Sequence, residues 1–214
     1  MNPVPRGATA GRRTVKTIVG ILLAAGVGTR FDPSGARLKL LEPAPAGAHA
    51  GRPLAVAAAL NLRAAVDEVV AVVRPIDGDA QRSLHAALAD AGCRLVVCEH
   101  ACEGMGASLA CGVRAASAAD GWLIALADMP AIAPATIAAV AQALRAGHAA
   151  AAPFVGGRRG HPVGFSRACF DELARLTGDA GARSVLGHRP PFRVEVGDSG
   201  ALLDIDAPSD LTPS

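Results

Sequence analysis

Short apolar runs alternate along this chain with longer stretches in which apolar positions recur at helical spacing. Thr17–Ala24, Val66–Val73 and Arg94–Cys98 read as strands. Gly121–Ala127 (GWLIALA) is the most hydrophobic run and reads as a strand buried on both faces. Ala149–Val155 reads as a fifth strand, although its alanines also suit a helix. Between these runs, Leu54–Arg63, Gly78–Ala91, Met105–Ala118 and Pro134–Ala146 carry helical spacing; Pro134 suits a first turn and Gly147 the far end. The second half is less regular: a hairpin-like stretch at Gly156–Phe165, helices near Ser166–Leu176 and Ala180–Leu186, and a strand at Phe192–Val196. Glu42–Pro53 (EPAPAGAHAGRP) reads as a surface loop. Strands alternating with helices predict an α/β fold with a mostly parallel sheet.

The 214 residues suffice for one domain with a full core, and no internal repeat or domain boundary is visible. Residues 1–16 are expected to form a disordered extension before a single domain at 17–214. Arg12-Arg13 ahead of the apolar run Ile18–Gly28 mimics an export signal, but that run is short for a membrane span and meets Arg30 and Lys39 at once. A cytoplasmic protein without a membrane partner is expected. A net charge of +2 makes no electrostatic case for nucleic acid, and with Tyr absent and aromatics scarce the composition argues against a base-stacking platform. Cys93, Cys98, Cys102, Cys111 and Cys169 are odd in number and lack a C-x-x-C, against a disulfide framework or structural zinc. Cys98-x-x-x-Cys102 could put two thiols on one helix face, but is read as small buried residues near a strand end.

Candidate chemistry begins in Leu23-Ala24-Ala25-Gly26-Val27-Gly28-Thr29-Arg30, directly after the first strand. Glycines there let the main chain approach a ligand and present N–H groups to phosphate oxygens. Phe31 breaks the dinucleotide fingerprint, and the chain has no Gly-Lys pair for a P-loop. What remains is a glycine turn followed by Arg30 and Lys39. Lys16 and Lys39 are the only lysines among 21 basic residues, so a lysine here fits a compact charge on a triphosphate. Asp128 ends the most hydrophobic strand, where ligands of open α/β sheets bind; it is read as a ligand for Mg²⁺, the alternative being a cap on the turn before Pro130. In Asp204-Ile205-Asp206 both carboxylates fall on one side of an extended segment. Asp206 either supplies a second metal ligand or caps the turn at Pro208–Leu211.

Three further stretches complete the set. Gly104-Met105-Gly106-Ala107-Ser108-Leu109 offers small residues against a flat base, and a hydroxyl at Ser108. Gly156–Val163 contains Arg158, Arg159 and His161 beside glycines, an anion-binding composition in which His161 is either a base or hydrogen-bonding group or a structural loop residue. In Gly178–Arg183, Asp179 is a plausible helix N-cap and Arg183 could face an anion.

Taken together, LAAGVGTR at 23–30, KLL at 39–41, RPL at 52–54, GMGASL at 104–109, ADMP at 127–130, GHPVGF at 160–165, GDAGAR at 178–183 and DIDAPSDL at 204–211 resemble the molybdenum cofactor cytidylyltransferases, within the MobA-like nucleotidyltransferase superfamily. The matches run in that family's order over nearly all the chain after residue 16. The resemblance implies a three-layer α/β Rossmann-like nucleotidyltransferase fold. It implies transfer of CMP from CTP to the terminal phosphate of molybdenum-bearing molybdopterin, with Mg²⁺, and a product serving a molybdenum hydroxylase of the xanthine dehydrogenase type. Leu23, Ala24, Ala25, Gly26, Gly28, Arg30, Lys39, Gly104, Gly106 and Ser108 would bind nucleotide. Arg30, Lys39 and Asp128 would carry catalysis, with Asp128 and Asp206 on the metal. Arg158, Arg159, His161, Asp179 and Arg183 would face the acceptor. Ala25 favours CTP, since the guanylyl branch carries Gly there. The chain departs from the family pattern at Asp32-Pro33-Ser34, in the length of Glu42–Gly51 and at Arg52, where Lys is common. The rival readings are a nucleotidyltransferase with another nucleotide or a sugar-phosphate acceptor, and a non-catalytic carrier of finished cofactor.

Overall fold

A computed structural model describes residues 16–34, 37–179 and 181–212. The expected extension lies, apart from Lys16, outside the described residues, as do Arg12 and Arg13. Eight strands form one sheet: β1 (Ile18–Leu23), β2 (Glu68–Val73), β3 (Arg94–Val97), β4 (Gly121–Leu126), β5 (Ala150–Val155), β6 (Arg158–Arg159), β7 (Val163–Ser166) and β8 (Phe192–Glu195). The order runs β3-β2-β1-β4-β7-β5, with β6 at the end of β5 and β8 also paired with β5. β1, β2, β3 and β4 are parallel, and β8 runs parallel to β5; β7 lies antiparallel between β4 and β5. The expected mostly parallel α/β sheet is observed.

Helices cover both faces: α1 (Leu54–Arg63), α2 (Asp79–Asp90), α3 (Met105–Ala115), α4 (Pro134–Arg145), α5 (Phe170–Leu173) and α6 (Arg183–His188). Alternation along each strand feeds two cores. Ile18, Leu22, Val69, Ala71, Leu123 and Ala125 pack with α1, α2 and α4. Val19, Ile21, Val70, Val72, Trp122 and Ile124 pack with α3, α5 and α6 on the other face. Strands buried on both sides must be continuously apolar, which is why these runs stood out in the sequence. Two glycines set the layer spacing. A Cβ at Gly20 would lie 2.7 Å from Leu62 of α1, and one at Gly112 2.5 Å from Ile21.

Differences from the sequence reading have local causes. α3 stops three residues short of Ala118, where the Trp122 indole donates to the Ala116 carbonyl at 3.1 Å. The helix expected near Ser166–Leu176 is a 3₁₀ turn, Arg167–Cys169, followed by one turn of α5; Arg167 donates to the carbonyls of Ser117 and Ala119 and stacks on Phe170. α6 begins at Arg183 because Gly181 has φ +53°, outside the helical region. Asp179 is therefore not its N-cap; Ala182 holds that position without a side-chain bond. The alanines of β5 are extended because β7 and β8 both pair with them, tertiary pairing overriding propensity. Gly156 and Gly157, both at positive φ, close the β5–β6 hairpin.

β1 to β3 are laid down outward on one side of β1, and β4 returns to its other side. This reversal leaves a crevice beyond the carboxyl ends of β1 and β4, the place where open α/β sheets bind ligands. Among the described residues no helix is long and apolar enough to cross a membrane.

Candidate functional site

The crevice collects charged groups from three distant parts of the chain. Lys39 follows the glycine turn and is buried. Its ammonium donates to Asp128 Oδ2 at 2.7 Å and reaches Asp206 Oδ1 at 3.5 Å. Arg30 pairs with the other oxygen of Asp206. Asp206 is brought here because Ile205 N donates to the Asp128 carbonyl at 3.0 Å, fastening the C-terminal segment to the end of β4. The turn-capping alternative for Asp206 does not hold. It is Asp210 that accepts from the N–H groups of Asp206 and Ala207, at 2.9 and 2.8 Å, and these bonds hold its carboxyl below the usual range. Asp128 likewise turns to Lys39 rather than to the turn before Pro130.

Beside this cluster, the glycine turn leaves its main chain open. The N–H groups of Ala25 to Arg30 have no hydrogen-bond acceptor among the described residues. Gly28 has φ +71°, and a Cβ at Gly26 would meet nothing within 4 Å. Arg30, Phe31, Lys39 and Asp206 border the cleft at the far end of this turn. The stretch Asp32-Pro33-Ser34 closes on itself: the Asp32 carboxylate accepts from Ser34 N at 2.9 Å and Arg37 N at 2.7 Å. Glu42–Pro53 is a closed surface loop, with Leu54 N donating to Glu42 O at 2.9 Å.

A cavity of about 310 Å³ continues from the glycine turn toward α3, lined by Leu23, Ala25, Gly26, Ser108, Asp128 and Asp179 among others. Gly104 borders it, whereas Gly106 does its work beneath the surface. The N–H of Gly106 donates to Gly178 O at 2.7 Å, and a Cβ there would lie 2.6 Å from Thr177 O. Gly104, at φ +125°, passes equally close to Gly178 and Asp179. Both glycines thus let residues 177–179 cross the start of α3. Ala24 is buried behind the turn and does not line this cavity. Cys102, expected to be buried with Cys98, is exposed at this cavity, while Cys98 is enclosed.

A second cavity of about 490 Å³ shares Met105 and Asp179 with the first, and is lined by Arg159, His161 and Arg183. Arg158, its side chain alternating away from Arg159 on β6, does not border it. His161 is half-buried with Nδ1 enclosed and unpartnered among the described residues. Burial and then the Arg159 guanidinium push its pKa down, against the opposing pull of Asp128 and Asp204. That shift favours the neutral ring in the ligand-free protein.

Residues 20–193 match the model of the MobA-like NTP transferase domain. The chain belongs to this family. It is a nucleotidyltransferase. It is 34% identical over 201 residues to the purine catabolism protein PucB of Bacillus subtilis (strain 168), covering 90% of this chain and 93% of PucB. Rv0371c of Mycobacterium tuberculosis H37Rv superposes with a TM-score of 0.70 at 29% identity, covering 92% of this chain and 96% of that one. Rv0371c has also been solved in complex with manganese, aligning at a TM-score of 0.64 and 28% identity over 86% of this chain and 89% of that one. A nucleotidyl transferase of Methanothermobacter thermautotroptrophicus gives a TM-score of 0.72 at 25% identity, with 91% and 94% covered.

For a nucleotidyltransferase the carboxylates of the crevice suit one kind of metal site. Among the described residues no group of three or more His, Cys, Asp or Glu could cage an ion. Asp128 and Asp206 nevertheless converge on one cationic point, the Lys39 ammonium. Two carboxylates with phosphate oxygens completing the shell is how a hard divalent cation is commonly held in phosphoryl-transfer sites. The residues fit such an ion bound jointly with nucleotide. Sequence reasoning missed the exposure of Cys102 and the place of Met105 and Asp179 between the two cavities, since neither follows from local pattern.

Proposed function

We propose that this MobA-like nucleotidyltransferase transfers CMP from CTP to the terminal phosphate of molybdopterin carrying molybdenum, releasing pyrophosphate and forming molybdopterin cytosine dinucleotide cofactor. The observation that carries the reading is the pair of cavities meeting at Met105 and Asp179, with Asp128 bordering the first and the arginines the second. Two substrates can lie end to end there, as in-line displacement requires. The buried methyl of Ala25 narrows the first cavity where the guanylyl branch carries glycine, which favours the smaller base. PucB is named for purine catabolism, chemistry that suits a client hydroxylase of the xanthine dehydrogenase type.

In this reading the open N–H groups of Ala25 to Arg30 cradle the triphosphate, with Lys39 and Arg30 at its pyrophosphate end. The acceptor phosphate attacks the α-phosphorus, and the bond to the bridging oxygen breaks. No covalent intermediate with the protein is needed; catalysis is positioning and charge neutralisation. Mg²⁺, held by Asp128 and Asp206, would supply charge to the triphosphate oxygens. Arg159 and Arg183 hold the acceptor's phosphate, neutral His161 hydrogen-bonds to it, and Asp179 faces both substrates. Arg158, on the other side of β6, would take part only at the rim.

The test is a panel of CTP, GTP and ATP with molybdenum-bearing molybdopterin, read as pyrophosphate release. CTP should exceed GTP at least tenfold in kcat/KM, because a site built for one base leaves polar groups unpaired with another. Equal rates would reject the cytidylyl assignment. Turnover with a sugar phosphate, but none with molybdopterin, would replace the acceptor. Absence of pyrophosphate release with tight binding of finished cofactor would return the carrier reading.

A further inference from the structure

The arrangement around Lys39 bears on how metal and nucleotide enter. Its ammonium touches both carboxylates that fit the cation, and its side chain is only 9% exposed. Asp128, at 22%, faces it at 2.7 Å. Arg30 holds the remaining oxygen of Asp206 from outside, with its side chain 81% exposed. The ligand-free site thus pairs its own charges: Lys39 and Arg30 stand against Asp128 and Asp206.

A free divalent cation could take Asp128 only by driving the Lys39 ammonium off it. An ion that also took Asp206 would leave that ammonium, buried as it is, without either carboxylate it now touches, which costs far more than exposing a surface lysine. A triphosphate changes the balance. Its β- and γ-oxygens give the displaced ammonium a new partner within the same crevice, beside the open N–H groups of the glycine turn. We propose that Lys39 is a latch on the metal site. It occupies the carboxylates when the crevice is empty and releases them only to a cation that arrives with phosphate, so that metal and nucleotide bind interdependently. The proposal rests on Asp128 and Asp206 being the metal ligands, as read above, but on no particular acceptor.

Two reciprocal consequences follow from one contact. Removing the ammonium should open the carboxylates to free metal. Removing the carboxylate charge should open the ammonium to free phosphate.

The experiment uses the whole protein without acceptor, so no turnover is needed. Free Mn²⁺ is counted by electron paramagnetic resonance during titration of the wild type and of Lys39→Met, with no nucleotide present. Lys39→Met should bind Mn²⁺ at least tenfold more tightly than the wild type. In a second arm, pyrophosphate binding is measured by calorimetry in chelator. Asp128→Asn should bind metal-free pyrophosphate more tightly than the wild type, whereas Arg30→Ala should bind it more weakly. Circular dichroism checks that each variant is folded; if Lys39→Met is not, Lys39→Gln and the Asp128→Asn arm decide. Equal or weaker Mn²⁺ binding by the folded Lys39 variant would overturn the latch, as would unchanged or weaker pyrophosphate binding by Asp128→Asn. Failure of CMP transfer to molybdopterin would leave both measurements standing, so the two readings fail separately.

Discussion

The main-chain N–H of Ile205 donates to the carbonyl of Asp128 across 3.0 Å, joining the end of β4 to a segment 77 positions further on (205 − 128). Ile205 itself is buried against Phe31, Ala44 and Leu54, so the join is packed as well as bonded. It fixes the next residue, Asp206, beside Lys39 and Arg30. Asp206→Asn keeps the packing and removes the charge. It should lower kcat by one to two orders of magnitude and raise the divalent-metal concentration needed for half-maximal rate. Its thermal midpoint should stay within a few degrees of the wild type. Steady-state kinetics with the metal varied decides; an unchanged metal requirement would remove Asp206 from the proposed metal site.

Arg30 and Lys39 should part company in stability while agreeing in kinetics. The Arg30–Asp206 pair is solvent-exposed and worth at most about 1 kcal/mol. Lys39→Ala, by contrast, leaves an inner carboxylate without its counter-ion. In the proposed reaction charge builds on the leaving pyrophosphate in the transition state, so either cation would act more strongly there than on bound CTP. Each alanine variant should lose about 10²–10³ in kcat, the usual cost of one such donor. Arg30→Lys should recover only part of it, a bidentate fork becoming a point charge. Denaturant unfolding should find Arg30→Ala as stable as the wild type and Lys39→Ala not. Unchanged kcat and unchanged KM for CTP in both would remove the triphosphate from this turn.

Much of this was legible because the physics is local. β1, β2 and β4 are buried on both faces and so are written as unbroken apolar runs. Asp128 is conspicuous because a carboxylate ends the most hydrophobic of them. What could not be read depends on contacts across the chain. The antiparallel insertion of β7 between β4 and β5 leaves no mark in Val163–Ser166 itself. The capping role of Asp210 beside Asp206, the exposure of Cys102 beside buried Cys98, and the turning of Arg159 but not Arg158 into the second cavity are all set by tertiary packing. Gly104 and Gly106 were visible as small residues. That their smallness serves the crossing of residues 177–179 was not.

That crossing yields a sharp test. A methyl group at Gly106 would meet main-chain oxygens of Thr177 and Gly178, which cannot rotate away as a side-chain end could. Alanine gains about 1 kcal/mol over glycine within a helix, but overpacking costs about 1–3 kcal/mol. Gly106→Ala should therefore be mildly less stable, and its shifted strap should move Asp179. KM should rise for both substrates together, since Asp179 borders both cavities. A rise for one substrate alone, in initial-rate measurements varying each in turn, would show that the shared wall is not shared in function.

His161 should leave a signature in stability against pH. Its pKa is lowered in the folded protein from the ordinary 6.5, chiefly by burial. Between that lowered value and 6.5 the unfolded chain binds the proton and the folded one does not. Stability from this group is thus fully present above about 6.5 and is lost as pH falls through the window toward the folded pKa. His161→Gln removes the titration and should flatten the profile between pH 6.5 and 5, measured by urea unfolding. An unaltered slope would assign the acid sensitivity to other groups.

Cys102 offers a way to locate the nucleotide without catalysis. Burial pushes the thiols of Cys93 and Cys111 up to about 11, Cys111 with a further contribution from Cys98, and it raises Cys169 too. At pH 8 these remain protonated and react slowly, and Cys98 is enclosed. Cys102 is exposed on the rim of the first cavity with Ser108 and Gly104. Iodoacetamide at pH 8 should therefore modify Cys102 first, as read by peptide mass spectrometry, and Cys102→Ser should abolish the fast phase. Saturating CTP with divalent metal should slow this labelling at least fivefold, because the base would lie over the thiol. Pyrophosphate should protect poorly, since Lys39 and Arg30 lie at the opposite end of the glycine turn. Equal labelling with and without CTP would move the base out of the first cavity, and protection by pyrophosphate alone would reverse the direction in which the nucleotide lies.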